Sequence, residues 1–133
     1  MSDYNTKIID EFRANAGKVE GFDAFEMLLL HTTGAKTGAE RVNPLAFRRE
    51  GDDLVVFASY AGRPKHPMWF HNLVANPDVE VELGTETFSA RARVAEGDER
   101  TRIWEAQKAE VPQFAEYEQK ADREIPVIVL ERA

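Results

Sequence analysis

Cysteine is absent from all 133 residues, which removes disulfides, thiolate metal sites and a cysteine nucleophile in one step. Histidine is scarce. His31, His66 and His71 are the only three, none is paired with a second histidine at i, i+4, and no carboxylate lies at zinc-site spacing, so no metal centre is expected. Positive charge is also in deficit, with 17 basic against 24 acidic residues and a formal charge of −7. That balance argues against nucleic acid or an anionic membrane surface as a partner, because both require a broad basic face. No apolar run approaches the length that spans a bilayer, and the N-terminus carries no basic segment followed by an apolar one. The expectation is an untargeted cytoplasmic chain without a stable membrane anchor. Three catalytic or nucleotide signatures are missing as well: a Gly-x-Ser-x-Gly elbow around Ser59 or Ser89, a Gly-x-Gly-x-x-Gly after a strand, and the Gly-Lys-Ser/Thr ending that would make a Walker loop of Gly34, Lys36 and Gly38.

What is present is globular: 43% hydrophobic and 31% charged residues, in a length that suits one domain over 1–133. Tyr4, Ile8, Ile9 and Phe12 recur at helical spacing, which predicts an amphipathic helix over 3–16 ended by Gly17. Met27 to Thr32 is a continuous apolar run, read as a buried strand. A glycine-containing turn follows, and Val42 to Arg48 resumes as a strand with Asn43, Leu45 and Phe47 on one face. After the turn Glu50-Gly51-Asp52-Asp53, Leu54 to Ala58 is the next strand of what reads as an antiparallel meander.

Pro67 suits the first position of a helix that Asn76-Pro77 closes. Asp78–Leu83 and Phe88–Val94 alternate polar and apolar residues. With a turn centred on Thr85-Glu86, Glu80 falls opposite Arg91 and Asp78 opposite Arg93, so both arginines read as cross-strand partners. Ile103, Trp104 and Gln107 mark a surface helix over 98–110. Pro112 restarts a helix on which Phe114, Tyr117 and Ala121 share a face, and Ile125 to Leu130 is a strand buried on both sides. About six strands and four short helices, in that order, predict a mainly β, α+β molecule: a small antiparallel barrel with helices packed outside it.

Between Asp53 and Asp78 no acidic residue occurs in this acid-rich chain. Arg63 and Lys65 lie there, just before a helix N-terminus whose first N–H groups lack intrahelical partners, which makes a place for an anion. A second cationic turn runs through Lys36, Thr37 and Arg41. Tyr60, Trp69, Phe70, Phe114 and Tyr117 supply aromatic surface. Two phosphate-sized charge sites beside flat apolar walls suit a phosphorylated planar cofactor. His31, at the end of an apolar run, reads as an interior histidine.

Several stretches together resemble the deazaflavin-dependent nitroreductase family, split β-barrel oxidoreductases related to the pyridoxamine oxidase-like, FMN-binding barrels. They are Leu30-His31-Thr32-Thr33-Gly34-Ala35-Lys36-Thr37-Gly38, Arg41-Val42-Asn43-Pro44-Leu45, His66-Pro67-Met68-Trp69-Phe70-His71-Asn72-Leu73 with Ala75-Asn76-Pro77, and Asp122-Arg123 with Ile125-Pro126-Val127. The resemblance covers residues 26–131, all but the first helix. It implies a split barrel that binds reduced coenzyme F420, with FMN as the alternative. Lys36 and Arg41 would grip the anionic side chain of the cofactor. Val42, Asn43, Pro44, Ala58, Ser59, Tyr60 and the helix start Met68, Trp69, Phe70, His71 and Asn72 would cradle the ring and linker, while Arg63 and Lys65 extend the anion site on charge alone.

The expected reaction is hydride delivery to a small electron-poor acceptor, a quinone, an enone or a nitroaromatic. Ser59 or Tyr117 would hydrogen-bond the developing charge, and Tyr60, Phe114 and Tyr117 would face the acceptor. Where relatives present a series of tyrosines on the C-terminal helix, this chain has Val111, Phe114 and Tyr117. Two other readings are an FMN-dependent barrel and a non-catalytic carrier of a cofactor or lipid-like ligand. Monomer and homodimer both remain open.

Overall fold

The computed structural model describes residues 3–15, 27–59, 62, 65–121 and 123–133. Helix α1, Asp3–Ala14, turns Ile8, Ile9 and Phe12 onto Met27, Leu29 and the partly buried Val42. The predicted stripe therefore faces the molecule's own sheet. The side chain of Tyr4 and the predicted stop at Gly17 lie outside the described residues. Among the described residues no helix is long and apolar enough to cross a membrane.

Seven strands follow: β1 Met27–Thr33, β2 Glu40–Ala46, β3 Arg48–Glu50, β4 Asp53–Phe57, β5 Asp78–Leu83, β6 Glu86–Val94 and β7 Val127–Arg132. They form one sheet in the order β2-β1-β5-β6-β7-β4-β3, with antiparallel pairs throughout. The two edge strands β2 and β3 are separated in the chain by Phe47 alone. Consecutive Cα atoms are about 3.8 Å apart, so the ends of the sheet must come back together, and the sheet rolls into a barrel.

The expected meander is corrected here. Beyond the β1–β2 and β3–β4 hairpins, β1 pairs with β5 and β4 with β7. Turn residues specify the hairpins, whereas the remaining pairings follow from burial of distant segments. The stretch expected as one strand over 42–48 is broken at Phe47, which packs against the barrel core, so the described residues form seven strands and not six.

Period-two alternation divides the apolar residues between two cores. On β4, Leu54 and Val56 face the barrel interior while Val55 and Phe57 face the other way; on β7, Ile128 and Leu130 separate in the same manner from Val127 and Val129. The second core lies beneath α3, Gly97–Glu110, and α4, Gln113–Ala121. There Phe57 meets Trp104 and Phe114 at ring-centroid distances of 5.7 and 5.4 Å. β7 lies between β6 and β4 and is apolar on both faces, as its uninterrupted hydrophobic run implied.

The β5–β6 register differs from expectation by two residues: Asp78 lies opposite Arg91 and Val79 opposite Ala90. A two-residue turn at Gly84 and Thr85, with Gly84 at φ 61°, fits the twist of the strands better than one centred a residue later. Because the slip is even, every side chain keeps its face. Arg91 bonds Asp78 at 3.2 Å, and Arg93 bonds Glu99 and Glu131, so both are structural partners as expected. Helix α2 runs Met68–Ala75, with Pro67 as its N-cap in extended backbone at φ −68°, ψ 156°. Pro67 thus precedes the first turn by one residue.

Candidate functional site

A cleft of about 540 Å³ opens between the β1–β2 turn, the start of β2 and the first turn and a half of α2. The turn is closed by two backbone bonds, Gly34 N–H to Ala39 O at 2.7 Å and Gly38 N–H to Gly34 O at 2.9 Å. A Cβ at Gly34 would lie 2.7 Å from Thr37 Oγ1 and 3.2 Å from Ala39 O, so glycine lets the turn close without displacing the Thr37 side chain. Lys36 and Arg41 are solvent-exposed and line the cleft together with Val42, Met68 and Trp69.

Helix α2 holds the turn in place. Asn72, buried among apolar neighbours, accepts from Ala35 N–H at 3.1 Å and donates to Thr32 Oγ1 at 3.3 Å. One turn on, Asn76 donates to Thr33 O at 3.3 Å. Asn72 therefore has both ends of its amide engaged within the protein. The α2 N-terminus carries no acidic residue in its first turn and no side-chain cap, which leaves a partial positive charge facing the same space.

One acid lines the same cleft. Glu40 stands beside Arg41, with a carboxylate oxygen 3.4 Å from His31 Nδ1. The ring of His31 is 10% exposed, and its Nε2 lies 2.5 Å from Glu82, whose carboxylate also takes two hydrogen bonds from Arg13 of α1. The Arg13 bonds hold the Glu82 carboxyl below the usual carboxylate range; burial opposes them and His31 assists. The expectation of an interior histidine holds, and the chain Arg13–Glu82–His31–Glu40 runs from α1 to the cleft.

Of the residues expected at a cofactor, the structure brings Lys36, Thr37, Arg41, Val42, Asn43, Met68, Trp69, His71 and Asn72 together on the cleft. Pro44 continues β2 opposite Leu29. Phe70 points away and stacks on His66 at 4.7 Å. Ala58 is fully buried, and Ser59 and Lys65 lie on the connection between β4 and α2, outside the lining. Tyr60 and Arg63 fall outside the described residues. Phe114 and Tyr117 belong to the second core, 5.4 Å from one another, and do not line this cleft; burial pushes the Tyr117 phenol above its ordinary range, with Glu116 adding to it.

Ala35 and Glu40 also line the cleft, and neither is among the site residues to which the sequence points. Arg123, quoted only as part of a motif, proves to be the centre of a hydrogen-bond cluster. Among the described residues no group of side chains could hold a metal ion.

A family model described as F420H(2)-dependent quinone reductase matches residues 5–132. An F420H(2)-dependent quinone reductase of Mycobacterium tuberculosis is 40% identical over 108 residues, 79% of this chain and 72% of the relative. The structure of an F420-H2 dependent reductase superposes with a TM-score of 0.72 at 42% identity, over 79% of this chain and 93% of that one. A chain described as a domain-swapped dimer gives 0.74 at 36% identity, over 95% and 96%. At the level of fold alone, a Listeria innocua chain described as a pyridoxamine 5'-phosphate oxidase gives 0.57 at 15% identity, over 92% and 91%.

Proposed function

Because the chain belongs to the F420H(2)-dependent quinone reductase family, we propose that the cleft between the 34–41 turn and α2 is where its reduced deazaflavin docks. The protein is an F420-dependent oxidoreductase on a split β-barrel. When bound, reduced F420 supplies the hydride for an electron-poor acceptor of quinone type, and enones and nitroaromatics extend the same chemistry.

The carrying observation is the make-up of the cleft: its lining joins the cations Lys36 and Arg41 to the apolar Val42, Met68 and Trp69. That arrangement fits a planar ring with an anionic tail. Lys36 and Arg41 hold the tail by charge-assisted hydrogen bonds. Val42, Trp69 and Met68, the last 69% exposed, exclude water from one side of the ring. Asn72 contributes by fixing the turn. The test is a titration with F420 and, in parallel, FMN, read by the fluorescence of Trp69 and Trp104 at two salt concentrations. Tight F420 binding that weakens with salt, and weak FMN binding, support the reading; preference for FMN or no binding of either overturns it. Lys36→Ala and Arg41→Ala should each weaken F420 about tenfold, the worth of one hydrogen bond to a charged group.

At the acceptor, we assign the Ser59 or Tyr117 hydroxyl to the negative charge that develops on the acceptor oxygen. Tyr60, Phe114 and Tyr117 are assigned to the acceptor by residue type, and Arg63 and Lys65 to the cofactor's anion site on charge alone. If Ser59→Ala and Tyr117→Phe both turn over quinone at the wild-type rate, the assignment is wrong. One relative is described as a domain-swapped dimer, which favours a homodimer over a monomer; light scattering decides between them.

A further inference from the structure

The connection from β4 to α2 is gripped from the far side of the molecule by one side chain. Arg123, just beyond α4, directs Nη2 at three carbonyl oxygens: Ala58 at 3.2 Å, Ser59 at 3.2 Å and Lys65 at 2.9 Å. Its Nη1 donates to His66 Nδ1 at 3.1 Å. The acceptors sit at both ends of the connection, two where β4 stops and two just before α2 begins. A second contact reinforces the first. Gly62, at φ +80°, packs so close to α4 that a Cβ there would lie 3.3 Å from Tyr117 Cα and 3.1 Å from Lys120 Cδ.

We propose that Arg123 is a positioning residue for hydride transfer, the brace that fixes the spacing between the end of β4, which carries Ser59, and the start of α2, which walls the cleft. The role rests on the functional reading above. A guanidinium suits it because its planar fork presents several donors at fixed angles, whereas an ammonium is a single point that cannot reach both ends of the connection. Burial keeps the Arg123 pKa below the ordinary arginine value, yet far above neutrality. Donation into Nδ1 also fixes the histidine: a neutral ring that accepts there carries its proton on Nε2. The His66 pKa lies below the ordinary histidine value, through burial first and then the charges of Arg123 and His71, which face the ring; Phe70 meets it from α2.

The brace does not touch the anion site of the cleft, which Asn72 and Asn76 hold independently. Its removal should therefore separate binding from turnover. In Arg123→Ala, kcat with F420H2 and a simple benzoquinone should fall about tenfold to a hundredfold, the cost of a displacement of about 1 Å at reacting groups. The F420 Kd should stay within about threefold, since the contacts to its anionic groups are kept. Added guanidinium ion should recover turnover, and Arg123→Lys should recover little. By NMR, His66 should accept at Nδ1 in the wild type and titrate below the ordinary range, and in Arg123→Ala its titration should rise.

Unchanged kcat, joint loss of binding and turnover that tracks thermal destabilisation, or failure of guanidinium rescue would overturn the proposal. A wild type that bound no F420 would remove the functional reading instead. The His66 titration would still decide the brace: a shift in Arg123→Ala supports it, and no shift refutes it.

Discussion

Glu40 is an acid at the mouth of a site built for anions. A carboxylate beside Lys36 and Arg41 opposes a polyanionic tail by simple repulsion, and at this exposed position the effect is modest, about 1 kcal/mol or less. Glu40→Gln should therefore tighten F420 a few-fold at low salt, with the difference shrinking at high salt as charges are screened; equal affinities at low salt would show that Glu40 stands clear of the tail. At this scale the sequence was informative where chemistry is carried by side-chain type. Lys36 and Arg41 stood out as cations in an acidic chain, and Trp69 as a flat apolar surface. Arg123 did not stand out, because Nη2 meets carbonyl oxygens, which every residue possesses. Ala35 is equally silent, since its contribution is a backbone N–H to Asn72. Ser59 and Lys65 sit near enough in sequence to α2 to be grouped with it, although their side chains do not line the cleft.

Helix α1 is attached by an apolar stripe and by Arg13, whose two bonds reach Glu82 on β5. Glu82 titrates below the ordinary 4.5 in the folded state. The stability it contributes is therefore fully present above that ordinary value, and it is lost as pH falls through the depressed one. Acid should loosen α1 before the barrel: amide exchange over residues 3–14 should accelerate below about pH 4.5 while strands β6 and β7 stay protected, and Glu82→Gln should show the same loosening at neutral pH. Uniform exchange across helix and sheet would contradict this. Elements were the most legible level. Each helix follows from local periodicity and proline punctuation, and each hairpin from its turn residues. The errors are equally local. Alternation continues through Phe47, which makes 42–48 read as one strand, and charge pairing favours a β5–β6 turn one residue later than the turn that Gly84, at positive φ, supports.

The barrel as a whole depends on β7, the strand that joins β6 to β4 and contributes to both cores. Leu130 is 2% exposed inside the barrel. Leu130→Ala should cost about 2–5 kcal/mol, read as a lower urea midpoint with an unchanged slope; a loss under 1 kcal/mol would mean that the barrel collapses around the gap. The pairing of distant strands was not legible, because hydrophobic pattern says which residues are buried and not against which partner. That same architecture bears on how the molecule is made. A ribosome delivers β4 and β6 before the strand that belongs between them, so the β4 edge stays open from residue 57 and the β6 edge from residue 94 until β7 begins at residue 127. Such edges are slow to be satisfied and prone to capture by other chains. Production in the cell should accordingly be sensitive to translation speed and to chaperones that shield unpaired strands, a demand that ends once β7 has paired with both neighbours.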